Sequence, residues 1–210
     1  MSVCKYAILS IVFLLFASLK SFSQTAWDSL VLEKANTAKN TRYLKDEEKQ
    51  VIFYTNLART NGKLFAETYL KWYMESEGLS SNSYIQSLEQ NLKNVQDLPM
   101  LVPDKYLYDI ARNHAVKSGK SGKQGHQGFK KRFRGLDRSY LYFGENCYYG
   151  RDNPLVIVIR LLIDDEVPDL GHRMNMLEPL YNSIGISIMP HKIYGYNCVM
   201  DFGMKREEMP

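Results

Sequence analysis

Four histidines, His114, His126, His172 and His191, are the side chains of this 210-residue chain best suited to holding a metal or moving a proton. His114 falls on a stripe with Leu107, Ile110, Ala111 and Ala115 at helical spacing, which predicts a packed histidine. His191 sits between two alternating apolar runs, where an exposed turn is expected. His126 and His172 differ. Each follows a glycine in a stretch that reads as loop, where glycine lets the backbone approach closely or take positive φ. Glu145 lies within Gly144-Glu145-Asn146, and Asp164-Asp165-Glu166 closes an apolar run shortly before His172. Two imidazoles and one or two carboxylates can hold a divalent ion such as zinc with a position left for water. The same set can work without metal, a carboxylate orienting a histidine that moves a proton. It can also simply tie loops together. The sequence has no HExxH, CxxC, GxSxG, P-loop or GxGxxG pattern.

The elements that must position these groups read as helices first and strands after. Val51, Tyr54, Leu57 and Ala58 share a helical face from Asp46 on, with Gly62 as the expected stop. Further helices are expected over about 64–77 and 84–95, separated by the loop at 78–83. Pro103 and Asp104 suit the start of another, ending near Ser118–Gly119. Residues 140–149 read as extended. Ile184, Ile186 and Ile188, then Tyr194, Tyr196, Cys198, Met200 and Phe202, alternate with period two and predict a hairpin. This order favours an α+β fold with a small antiparallel sheet.

Hydrophobic residues make up 45% and charged residues 24%, proportions that exclude wholesale disorder and collagen-like repeats. A formal charge of +4 is too balanced for a dedicated nucleic-acid binder. Residues 1–23 read as a secretory signal peptide: Lys5, an apolar run from Tyr6 to Ala17, then small residues before Gln24. Its removal takes Lys5 and Lys20 with it and leaves 25 basic against 23 acidic side chains. No later run reaches membrane-spanning length. The expected division is signal peptide 1–23, lead-in 24–45, main domain 46–204 and tail 205–210. Cys147 and Cys198 remain after cleavage, and export makes a disulfide between them an expectation. Residues 117–138 hold eight basic side chains and one acid, Asp137. They read as a solvated face, or as a patch for an anionic polymer or lipid headgroup.

Five segments in order carry a family resemblance. They are Asn56-Leu57-Ala58-Arg59, Ala111 to Ala115, Gly125-His126 with Phe129 and Arg132, Gly144-Glu145-Asn146, and Gly171 to Leu177, followed by Ile184-Gly185-Ile186 and Val199 to Gly203. Together they resemble the CAP superfamily of cysteine-rich secretory, antigen 5 and pathogenesis-related 1 proteins, in its bacterial SCP-like branch. The resemblance implies an α-β-α sandwich with a small central antiparallel sheet and a cleft lined by two histidines and two acids. Carried over by motif, these are His126, His172 and Glu145, with Asp165 favoured over Asp164 as the second acid. It also implies an in-sheet bridge between Cys147 and Cys198. The reading is an exported bacterial binding or interaction module, secreted or periplasmic. Its cleft would take zinc or magnesium, and its partner would be an envelope or extracellular protein, glycan or lipid. The absence of a nucleophile motif weighs against an enzyme. As an enzyme it would be a metal-assisted hydrolase with Glu145 as general base and His172 in the site. A lipid or sterol carrier, with an apolar groove beside 155–163, is the remaining alternative.

Overall fold

The computed structural model describes residues 26–136 and 138–206. The expected signal peptide, Asp137 and the end of the tail lie outside the described residues. In chain order the helices are α1 (Ser29–Ala35), α2 (Asp46–Thr60), α3 (Gly62–Phe65), a π-helical turn (Ala66–Leu70), α4 (Lys71–Glu77) and α5 (Ser83–Lys93). Strand β1 (Val102–Pro103) leads into α6 (Lys105–Ser121) and α7 (Phe129–Arg132). Then come β2 (Tyr140–Gly150), α8 (Pro154–Ile163), α9 (Gly171–Leu177), β3 (Ser183–His191) and β4 (Gly195–Lys205).

The sheet order is β1-β3-β4-β2. The three long strands are antiparallel, as expected, while two-residue β1 joins β3 in parallel. Period-two alternation sorts the sheet's side chains into two faces. Ile184, Ile186, Ile188, Cys198, Met200 and Phe202 join the main core with α2 and α8. Cys147 and Val199 pack instead on Ala111 and Ala115 of α6. The fold is therefore helix, sheet, helix.

Sequence spacing placed most helices but misread two glycines. Gly62 does not end α2. Asn61 does, and its side chain caps α3 by accepting the N–H of Leu64. Gly62 is needed because a Cβ there would lie 2.4 Å from the carbonyl oxygen of Leu92 in α5. Helix α6 likewise runs through Gly119 to Ser121, since a Cβ at Gly119 would meet Pro190 O at 2.2 Å. Gly122, at φ +72°, terminates it.

The expected disulfide is overturned. Cys147 and Cys198 are free and buried. Cys198 is cross-strand partner to Tyr148, and Cys147 to Val199. The one-residue offset sends the two thiols to opposite faces of the sheet. The apolar run at 155–163 is a helix packed in the core. Asn153 caps it, Pro154 opens it, and every side chain from Leu155 to Ile163 except Arg160 is buried. A helix apolar on all sides belongs inside the core. No helix among the described residues is long and apolar enough to cross a membrane.

Candidate functional site

Strand β2 lies at the edge of the sheet, and α9 is tied along it. Asn146 Nδ2 donates to His172 O at 2.9 Å, and Asn175 Nδ2 donates to Glu145 O and to Asn146 Oδ1. These bonds bring His172 opposite the loop that carries His126. The two imidazole centroids are 6.4 Å apart.

Each imidazole is held by a carboxylate at Nδ1. His126 Nδ1 lies 2.8 Å from Glu145 Oε1, and His172 Nδ1 lies 2.6 Å from Asp164 Oδ1. Both carboxylate side chains are almost wholly buried, whereas the His126 and His172 side chains keep 48% and 23% of their exposure. A carboxylate partner at Nδ1 places the proton there and leaves the Nε2 lone pair free.

The second acid is Asp164 rather than the favoured Asp165, which is exposed. Asp164 ends α8 at φ +58°, in the left-handed region that Asp tolerates. That turn points its carboxylate at the start of α9, where Oδ2 accepts the backbone N–H groups of His172 and Arg173. A helix-ending acid directly before a loop was the signal available in the sequence.

Arg132 was read only as part of a motif, yet it dominates the electrostatics. Its Nη1 and Nη2 donate to both oxygens of Glu145, at 2.5 and 2.9 Å. Burial alone would raise the Glu145 carboxyl. Hydrogen bonds from His126 and Arg132, with the guanidinium charge, outweigh it and hold the pKa at about 2. Asp201, the cross-strand partner of Glu145, is the reverse case. It is fully buried and neither oxygen has a hydrogen-bond donor among the described residues. Burial, and then the Glu145 charge, push its pKa well up and favour the protonated form.

His114, Glu145 and Cys147 also come together, each offering a ligand atom within 4.8 Å of the others. His114 is packed, as its stripe predicts, and its Nε2 lies 2.9 Å from Gly125 O. Burial lowers its pKa and raises that of Cys147 well above the ordinary thiol range. A metal there would have to strip a proton from Cys147 and compete with Arg132 for Glu145. His191, expected in an exposed turn, is buried: its Nδ1 accepts the N–H groups of Ile193 and Tyr194, and its ring packs on Tyr149.

The chain matches the model of the CAP family, the cysteine-rich secretory protein family, over residues 91–202, and it belongs to that family. No curated protein matches it. Among solved structures it is similar to an SCP-domain extracellular protein of Bacillus anthracis, at 19% identity and a TM-score of 0.42, covering 58% of this chain and 40% of that one. It is also similar to an outer surface protein of Borrelia burgdorferi, at 17% identity and a TM-score of 0.44, over 67% of this chain and 96% of that one. A cysteine-rich secretory protein of Staphylococcus aureus gives 15% identity and a TM-score of 0.45, over 79% and 42%. The chain thus spans less than half of the Bacillus and Staphylococcus chains.

Proposed function

We propose that this chain is an exported binding module whose cleft takes one divalent cation between His126 and His172. The observation that carries the reading is the matched pair of Nδ1–carboxylate contacts, which leaves two Nε2 lone pairs on rings 6.4 Å apart. Imidazole nitrogen suits zinc better than magnesium, a hard ion that prefers oxygen. In this reading Glu145 and Asp164 orient the imidazoles and raise their basicity rather than ligate. Bound zinc would supply Lewis acidity and a water of lowered pKa. The chain's own residues fix the rings, exclude water from the carboxylates and hold the charge balance through Arg132.

The state of Glu145 favours binding over hydrolysis. A carboxylate clasped by a guanidinium, with its pKa near 2, is a poor general base at neutral pH. The test is titration calorimetry of zinc and of magnesium into the chain from Gln24 on, beside a His126→Ala/His172→Ala variant. Near-stoichiometric zinc binding in the parent, absent in the variant, is the expected result. Equal binding by both proteins, or by neither, removes the metal reading and leaves the cleft as a recognition surface.

A further inference from the structure

The tip of the β3–β4 hairpin exposes apolar side chains close to lysines in the sequence. Residues 192–196 are all exposed, and three are large and apolar: Ile193 at 64%, Tyr194 at 41% and Tyr196 at 37%. Around them stand four exposed lysines, Lys192 on the tip and Lys117, Lys120 and Lys123 at the adjoining end of α6. Segments 117–126 and 189–200 contain no Asp or Glu, and none of these lysines meets a carboxylate among the described residues.

The tip is not a loose loop. Lys192 N–H donates to Gly119 O at 3.0 Å. His191, buried beneath it, accepts the next two backbone N–H groups. Ile193 lies over Gly122, where a Cβ would come within 3.1 Å of its Cδ1, and Tyr194 packs at a tilt against His191 and Tyr149. The fold therefore holds apolar groups in water on segments whose only charged side chains are lysines. Five exposed residues offer little area for a protein partner. Tyrosine, isoleucine and lysine are instead the residues that partition at a bilayer interface, rings among the headgroups and ammonium groups on phosphates.

We propose that this hairpin tip seats the protein on an anionic phospholipid surface, with Ile193, Tyr194 and Tyr196 entering the headgroup layer and Lys117, Lys120, Lys123 and Lys192 meeting phosphates. Its residues are not those of the histidine cleft, and the contact does not require metal. The experiment is vesicle sedimentation of the chain from Gln24 on, using phosphatidylcholine alone and an equimolar mixture with phosphatidylglycerol. It is paired with the emission of an Ile193→Trp variant against the parent, and circular dichroism verifies that each variant is folded. Binding to the mixed vesicles only, with a blue shift of the introduced tryptophan, is expected. Each of Lys120→Gln, Lys123→Gln and Lys192→Gln should weaken partitioning about five-fold, and Ile193→Glu should abolish the shared binding. No partitioning overturns the proposal, as does equal partitioning onto neutral vesicles. So does binding of the Ile193→Trp variant with its added emission unmoved, which would place the contact on another basic surface such as Lys130, Lys131 and Arg134.

Discussion

Two carboxyls on one sheet face titrate in opposite directions, and stability should report both. Glu145 is ionised in the fold with its pKa lowered to about 2, so the stability it lends is complete above the unfolded value near 4.5 and is lost as pH falls toward 2. Glu145→Gln should cost about 3 kcal/mol at pH 7, the low end for breaking a buried pair, because Arg132 keeps some solvent. Urea unfolding at pH 7 and pH 3 checks it: the gap between parent and variant should shrink at the lower pH. Asp201 has its pKa raised in the fold, so its contribution falls as pH rises above the unfolded value of about 4. Asp201→Asn should therefore stabilise the protein at pH 7 and make little difference at pH 3. Destabilisation at pH 7 would mean that Asp201 is ionised and paired.

At the scale of elements, two buried arginines and one glycine govern how the elements meet. Arg59 of α2 donates to Pro99 O, Met176 O, Glu178 O and Tyr181 O, gathering two separated segments onto α2. Arg173 of α9 donates to Leu162 O and Ile163 O, and reaches α5 through Ser87 Oγ, Asn91 Oδ1 and Tyr84 O. Most of α5 and all of α3 and α4 precede the family match. Arg173 is thus the clamp that joins α5 to the start of α9 beside His172. Arg173→Met should leave those acceptors unpaired and speed amide hydrogen exchange across 83–93 at least ten-fold, while α6 is unchanged. Gly185 sits where a Cβ would lie 2.0 Å from the backbone of Leu107 and Tyr108. Gly185→Ala should push α6 off β3 and cost about 3 kcal/mol, the upper end for overpacking, measurable by thermal unfolding.

For the molecule as a whole, metal binding and folding should be linked. If zinc binds only the native cleft, zinc at about a hundred times its Kd adds about 2.7 kcal/mol of apparent stability. The melting temperature of the parent should rise with zinc, while that of the His126→Ala/His172→Ala variant should not. A rise in both would place the stabilising ion elsewhere, the His114, Glu145 and Cys147 group being the next candidate.

The resemblance to the CAP family, rather than spacing, brought His126, Glu145 and His172 to one cleft, while the residues themselves carried the fold class, the run of helices before strands and the alternation that sorts β3 and β4. Those are local properties: period, cap and turn chemistry are written within a few residues of where they act. Contacts between distant segments were out of reach. The inward turn of Asp164, the grip of Arg132 on Glu145 and the raised pKa of Asp201 each depend on what another element brings alongside. The opposite faces of Cys147 and Cys198 depend on a register offset of one residue, which composition and spacing do not encode. Gly62 and Gly119 look like helix stops along the chain and are points of close approach in the fold, because only the packed neighbour shows where a Cβ would collide. The sequence therefore determined which groups could do chemistry, and the tertiary structure decided their charge, their partners and the direction each one faces.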